Sequence, residues 1–349
     1  MEALLVVGDS RYRLWTPNDE EREFHPMVRK YSKEIFGESS LYFDLKHVMK
    51  SLSGIGSIPD AYVISLQEPS EWFVVENELA RHPVYDHIVR QLTKFINGIE
   101  NQNTRNEILD TLYDEISKDN ILRKTVEKSV CSTDIYRFLS KLFSKKPRIV
   151  IIIDEKTSEI EEACGVLKYR TDIVEFKTYV REDDPNSYAH LFEPLSQAEE
   201  IEKSKMFVTS EKTQEKGETE EQERYTESFH LEDVKKSIVA AYENIKNSIT
   251  KLDPNIKINP QKYYISLRKN RNFAYIDLRK KKMHIVVMLP YDSGEALIKK
   301  HKLIQLSEGI QTFYNGDCFK VTIENEENLD EITKALEEAY RLHSVKSLL

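Results

Sequence analysis

The stretch "IPDAYVISLQEPSEWFVVENELARHPVYDHIVRQLTKF", residues 58–95, decides how the chain is read. Two runs rich in β-branched and aromatic residues, 61–67 and 72–79, flank the turn-forming "EPSE" and predict a hairpin. The second run reads as buried, yet it carries Glu76 and Glu78. A carboxylate removed from water is costly unless something positive meets it. Residues two apart on a strand share a face, so Glu76 and Glu78 point one way and Val75, Asn77 and Leu79 the other. The hairpin also brings Asp60, at the entry of the first strand, beside both glutamates. Three carboxylates so placed repel unless they are protonated or bridged by a cation. A hard divalent ion with oxygen ligands resolves the conflict; Mg²⁺ is the expected ion, with Mn²⁺ as its alternative.

The segment that follows predicts a helix ending at Gly98. His87, Arg90, Gln91 and Lys94 fall at i, i+3, i+4 and i+7, a polar-to-basic face, with Ile88, Leu92, Phe95 and Ile96 on the apolar one. A basic face beside a carboxylate metal site suits a phosphate diester, so His82, His87, Arg90 and Lys94 are the expected substrate contacts. For the two histidines, metal ligation and ordinary surface hydrogen bonding both stay open.

Outward from this stretch, strands and helices alternate. "LLVVG" (4–8) is a short strand or lead-in. "PNDEEREFHPMVRKYSKEIFG" (17–37) is a helix with Asn18 or Asp19 as cap and Gly37 as stop. "SLYFDLKHVM" (40–49) is a strand or a strand–helix hybrid, and helices follow over 104–117 and 132–143. "PRIVIIID" (147–154) has the unbroken β-branched run of a central strand. A helix over 157–168 and a strand over 172–180 complete a βαβ-like unit. The N-terminal part, 1–192, is therefore α/β with a mixed sheet flanked by helices. Residues 193–226, dominated by Glu, Lys, Gln, Ser and Thr, read as an acidic flexible linker, with a solvated helix as the alternative. Residues 227–349 read as a smaller α+β domain, opened by a helix over 230–250, continued by three strands with basic turns and closed by an amphipathic helix carrying Leu329, Ile332, Leu336 and Tyr340.

Composition sets the limits. The chain has 349 residues, too many for one ordinary core, and a net charge of −9, which weighs against non-specific coating of nucleic acid without excluding a nucleic-acid enzyme. Its 3 cysteines lie far apart, with no zinc or disulfide spacing. No segment approaches the ~20 apolar residues of a spanning helix, and "MEALLVVGDSRYRLW" lacks the features of a signal peptide. A cytoplasmic protein without a membrane partner is expected.

Pro59-Asp60, fifteen intervening residues and then Glu76-Asn77-Glu78 on a strand resemble the motif of the PD-(D/E)XK nuclease superfamily. Gln91-x-x-x-Phe95 resembles the QxxxY motif on the helix after the core hairpin in its RecB-like branch. The longer phrase "ENELARHPVYDHIVRQLTKF" is similar to an ExE version found in bacterial proteins that share a small C-terminal domain with restriction-type proteins. The resemblance implies a restriction-endonuclease-like fold and Mg²⁺-dependent hydrolysis of DNA, with defence against foreign DNA as a role by family analogy and a homodimer where both strands are cut. Asp60 and Glu76 would bind the metal, Glu78 would orient or deprotonate the attacking water, and Gln91 would support them. On the acidic helix holding Glu21 and Glu23, Glu23 would be a further ligand. One departure matters: Glu78 stands where the superfamily usually has lysine. The missing positive charge would come from Lys46 or His82, and without it the fold would serve to bind nucleic acid or a protein partner.

Two other patterns compete. Glu175-Phe176-Lys177, with Asp154 about twenty residues before it, reads literally as ExK, but a helix and not a hairpin turn separates the two. The basic run Arg268, Lys269, Arg271, Arg279, Lys280, Lys281 and Lys282, mixed with Phe273 and Tyr275, either grips a phosphate backbone or keeps strand edges soluble.

Overall fold

The computed structural model describes residues 4–45, 48–195 and 225–344 and divides into two compact units, Met1–Glu202 and Lys203–Leu349. Most of the expected linker, and Lys46, lie outside the described residues. The strands of the N-terminal unit are, in chain order, β1 (Leu4–Val7), β2 (Ser10–Trp15), β3 (Ser40–Phe43), β4 (Met49–Lys50), β5 (Gly56–Ser57), β6 (Ala61–Ser65), β7 (Glu71–Glu78), β8 (Arg148–Ile153), β9 (Thr171–Glu175), β10 (Lys177–Arg181) and β11 (Asp184–Leu191).

The central sheet has the order β3-β6-β7-β8-β9. The β3–β6 and β6–β7 pairs are antiparallel, whereas β7–β8 and β8–β9 are parallel, so the sheet is mixed, as the sequence predicts. β8 lies between two parallel neighbours and is buried throughout Ile149–Ile153, which is why its sequence shows no alternation. On one face, Phe24, Val28, Ile35 and Phe36 pack against Val63, Val75, Val150 and Ile152. The other face carries Trp72, whose indole stacks on Phe143 of the helix Ile135–Phe143 and donates from Nε1 to the Lys145 carbonyl at 3.1 Å. Glu76 and Glu78 share Trp72's face by strand alternation.

The helix expected over 17–37 is three successive pieces, Glu20–Phe24, His25–Lys30 and Ser32–Phe36, stopped by Gly37 at φ +99°. The strand expected over 172–180 breaks at Phe176: β9 stays in the central sheet, while β10 joins a second sheet of order β1-β2-β10-β11. β11, with the turn-forming Asp-Pro-Asn at its start, lies at the edge of that sheet, where a proline is tolerated. The helix Arg90–Glu100 lies close against β4 because Gly98 has no side chain; a Cβ there would come within 2.8 Å of the Met49 Cβ.

Among the described residues the C-terminal unit has six strands, β12 (Lys257–Pro260), β13 (Ile265–Arg268), β14 (Asn272–Arg279), β15 (Lys282–Val287), β16 (Lys302–Gln305) and β17 (Phe319–Ile323). They form one antiparallel sheet in the order β12-β13-β14-β15-β17-β16. The helices Lys236–Leu252 and Leu329–Ser344 join its core through Ile238, Tyr242, Ile245, Ile332 and Leu336. Among the described residues no helix is long and apolar enough to cross a membrane.

Candidate metal centre

The hairpin does what its sequence predicts. Ala61 pairs with Val75, and the Asp60 amide donates to the Val75 carbonyl at 3.1 Å, so Asp60 stands opposite Glu76. Its Oδ2 accepts from the Asn77 amide at 2.7 Å, which fixes the carboxylate at the edge of the strand. Glu76 is 3% exposed and Glu78 is 1% exposed. Gln91 reaches across from its helix and donates from Nε2 to Glu76 Oε1 at 2.7 Å, while its own Oε1 accepts from the Ser57 hydroxyl at 2.7 Å. That chain orients the amide so that only one oxygen of Glu76 is served. The other, Oε2, is buried with no hydrogen-bond partner.

Burial pushes the Glu76 carboxyl well above the usual range, and the charges of Asp60, Glu78 and Glu20 push it further. Glu78 is raised to about 8, first by burial and then by Glu20, with His87 and His25 opposing. Its oxygens are divided between two imidazoles: Oε2 lies 2.7 Å from His82 Nδ1, and Oε1 lies 3.3 Å from His87 Nε2.

The acidic helix contributes a different residue from the one expected. Glu23 Oε2 accepts from the Asn18 and Asp19 amides at 2.6 and 3.2 Å, while Asp19 Oδ1 accepts from the Arg22 amide at 2.9 Å; these are the reciprocal bonds of a helix cap. Glu20 faces the site instead. Its Oε1 lies 3.1 Å from His25 Nε2 and its Oε2 lies 3.2 Å from His82 Nδ1, and His25 Nε2 is in turn 3.4 Å from Asp60 Oδ2. Arg81 ties this helix start to the exit of β7 by donating to the Pro17 and Asn18 carbonyls at 3.0 and 2.5 Å.

Glu20 and His25 were missed because residues five apart lie about 140° apart around an ordinary α-helix. Here the first turn is widened: the Phe24 amide reaches the Asp19 carbonyl at 3.4 Å, and the His25 amide bonds the Glu20 carbonyl. Such i→i+5 turns are uncommon and concentrate at functional sites. A second wide turn, Val84–Val89, in which the Ile88 amide reaches the Pro83 carbonyl at 3.4 Å, follows His82 and carries His87. It brings the two rings to 5.3 Å between centroids. The nearest sequence signal is a pair of H-P dipeptides, His25-Pro26 and His82-Pro83, one at each wide turn.

The remaining predicted residues fall outside this arrangement. Arg90 is exposed and Lys94 half-buried on the Gln91 helix. The competing ExK pattern is satisfied internally: Glu175 pairs with Lys177 at 2.9 Å and accepts from the Lys156 amide at 2.9 Å, and Asp154 accepts from the Ala80 amide at 2.7 Å. The basic run of the C-terminal unit is divided. Lys269 meets Asp253 at 2.6 Å and Arg279 meets Asp277 at 2.8 Å. Its two turns, 268–272 and 279–282, sit at opposite ends of β14, roughly 25 Å apart at the usual rise of a strand, so they do not make one continuous grip.

Residues 227–343 match a family described as a domain of unknown function (DUF5655), a span that lies wholly in the C-terminal unit and excludes the carboxylate site. Comparison with curated proteins and with solved structures gave no match.

Proposed function

We propose that the N-terminal unit is a divalent-metal-dependent phosphodiester hydrolase acting on DNA, an endonuclease built on the Asp60–Glu76–Glu78 constellation. The observation that carries this reading is the unpartnered, buried Oε2 of Glu76, set among the carboxylates of Asp60, Glu78 and Glu20. Hydrogen bonds within the protein leave that oxygen unmatched, and a cation matches it. Glu20, His25 and Asp60 bring donor atoms within 4.8 Å of one another, and with the neighbouring Glu76 carboxylate they offer the oxygen-rich donor set that Mg²⁺ or Mn²⁺ takes. When bound, the ion would make a water more acidic and offset negative charge gathering on the phosphoryl oxygens.

The rest of the chemistry belongs to the side chains. The Asn77 amide and the Gln91 carboxamide hold Asp60 and Glu76 in fixed orientations, which lowers the reorganisation needed when substrate arrives. Glu78 is placed to accept a proton from the attacking water, and His82, at 2.7 Å, is placed to carry it onward. The Arg90 and Lys94 face supplies phosphate contacts that position the strand without reading its sequence.

The test is direct. Supercoiled plasmid, single-stranded DNA and RNA are incubated with the full chain in Mg²⁺ or Mn²⁺, beside Asp60→Asn and Glu76→Gln. DNA cleavage by the wild type that falls at least about 100-fold in both variants supports the proposal. Absence of DNA cleavage in every ion, or cleavage that survives both substitutions, overturns it.

A further inference from the structure

We infer that the same unit holds a second cation, an imidazole-seeking divalent ion of which Zn²⁺ is the representative, bound by Glu78, His82 and His87 with Glu20 as the carboxylate shared between the two ions. The inference rests on the reading above for placing the first ion at Asp60 and Glu76, and it revises one part of it: with the second ion bound, Glu78 and His82 are its ligands, and they act as proton acceptor and relay only in its absence.

The donor atoms divide into two groups. In one, an oxygen of Glu78 and one ring nitrogen each of His82 and His87 lie within 4.8 Å of one another; in the other, Glu20, His25 and Asp60 do the same. Glu20 sits between them with one oxygen turned to each: Oε2 is 3.2 Å from His82 Nδ1 and Oε1 is 3.1 Å from His25 Nε2. Donors around a tetrahedral zinc at 2.0–2.2 Å are separated by about 3.3–3.5 Å. Of the separations here, 3.3 Å from Glu78 to His87 and 3.2 Å from Glu20 to His82 already match to within about 0.3 Å, and the 2.7 Å from Glu78 to His82, a hydrogen-bond distance, widens by about 0.6–0.8 Å when the shared proton gives way to the ion. Two imidazoles and two carboxylates suit a borderline ion better than Mg²⁺, which prefers oxygen and keeps its water.

The oxygen that marks the first site lies on the same strand face as the second. Glu76 Oε2 leaves β7 on the same face two residues before Glu78 and has no partner. If the histidines served only as hydrogen-bonding partners of Glu78, they would satisfy that carboxylate and leave its neighbour orphaned. Both wide turns also belong to this arrangement, since each delivers one histidine to one group. Two ions held about 3.5–4 Å apart by a shared carboxylate form a common arrangement for cleaving phosphodiesters.

The experiment counts metal and needs no DNA. The metal-free full chain is equilibrated with Zn²⁺, passed through a desalting column and assayed for bound zinc by mass spectrometry, with Co²⁺ absorption as a spectroscopic check. The wild type should retain two equivalents, a His82→Gln/His87→Gln variant one, and Asp60→Asn one, the last with the Co²⁺ ligand-field bands of the histidine group still present. Tryptophan fluorescence melts establish that each variant is folded. If the double variant does not fold, His87→Ala alone, at a half-exposed position, should weaken the binding of the second equivalent at least tenfold. A wild type that retains one equivalent or none, or a zinc count and affinity unchanged by the histidine substitutions, overturns the inference. Failure to cleave DNA, with two equivalents bound, overturns the hydrolase reading alone.

Discussion

Glu76 in the N-terminal unit and Asp253 in the C-terminal unit are both acidic residues brought against packed secondary structure, and the chain treats them in opposite ways. Asp253 receives Lys269 and the Tyr340 hydroxyl on Oδ2, each at 2.6 Å, and the amide and carboxamide of Asn255 on Oδ1 at 2.8 and 2.9 Å. The hydrogen bond from Lys269, followed by those from Tyr340 and Asn255, holds its carboxyl well below the ordinary range. Glu76 receives one carboxamide on one oxygen, and its strongest neighbours are other carboxylates. Glu227 follows the pattern of Asp253: burial opposes ionisation, but Lys246 and Tyr242 outweigh it. In the C-terminal unit acidity serves to fasten helices to strands. At Glu76 it is left unmatched, although carboxylates elsewhere in the N-terminal unit, such as Glu175 and Asp172, have their cations. On the proposed function, that difference separates a structural carboxylate from one that takes a metal ion.

The comparison breaks first on activity, where the effect is largest. Asp60→Asn should lower DNA cleavage in Mg²⁺ or Mn²⁺ by on the order of 10²–10³-fold, whereas Asp253→Asn, which removes only a structural partner, should leave the rate per folded molecule unchanged. Equal losses from both substitutions would show that the distinction drawn from hydrogen bonding is wrong.

The second test is pH, and the two units should respond with opposite sign. Glu78 is ordinarily ionised above about 4.5 when unfolded, but in the fold it keeps its proton to about 8. Its contribution is therefore fully present below 4.5 and lost as pH rises to 8, at up to about 1.4 kcal/mol per pH unit in the absence of metal. Asp253 ionises more readily in the fold than its ordinary 3.8, so its contribution is present above 3.8 and lost as pH falls below it. Amide NMR of the metal-free chain, resolved by unit, should show the N-terminal signals weakening toward pH 8 and the C-terminal ones toward pH 3. A common direction for both units would erase the contrast.

How much of this was legible in the sequence follows from which periodicities hold. Asp60, Glu76 and Glu78 could be placed together from sequence because antiparallel register and the two-residue alternation of a strand leave little freedom, and β6 and β7 obey both. Helical spacing put Gln91 on the polar face of its helix, and its place beside the carboxylates came from the resemblance to the QxxxY motif. Glu20 and His25 were hidden because a wide turn departs from the period on which such reading depends, and Glu23, at an ordinary-looking position, is used in the cap. The break between β9 and β10 at Phe176 leaves no interruption in the apolar alternation, so one strand was expected where two sheets each take a part. β16 and β17 are short strands separated by the helix Glu308–Phe313, and no two-residue hairpin turn joins them to mark a pairing between residues 14 to 20 apart.

A third test, smaller than the pH response, isolates the cost of the unmatched charge. Glu76→Gln keeps the shape and the oxygen that accepts from Gln91, and it replaces the orphaned oxygen with a donor aimed among carboxylates. The metal-free chain should gain about 1–3 kcal/mol, read by urea unfolding with tryptophan fluorescence. Both tryptophans, Trp15 and Trp72, lie in the N-terminal unit, so the emission reports on that unit. Added Mn²⁺ should raise the unfolding midpoint of the wild type and leave that of the variant where it was. A destabilised Glu76→Gln would place Glu76 with Asp253, as a carboxylate the fold depends on.

The smallest effect belongs to Tyr340→Phe. The substitution removes one of the donors that hold Asp253 and leaves the ring packed edge-to-face on Phe273 at 5.7 Å between centroids. Lys269 and Asn255 still serve the carboxylate, so no oxygen is orphaned, and the loss should be that of a single hydrogen bond, about 1 kcal/mol. Hydrogen exchange of peptides from β14 and the helix Leu329–Ser344 measures it, because Tyr340 and Asp253 join the ends of the two helices that cover the sheet. The same deletion at the other site, Gln91→Ala, strips Glu76 of its carboxamide donor and leaves Oε1 short of a partner as well as Oε2. It should therefore cost the metal-free N-terminal unit more than Tyr340→Phe costs the C-terminal one, and the excess should disappear when a divalent ion is present to take up both oxygens.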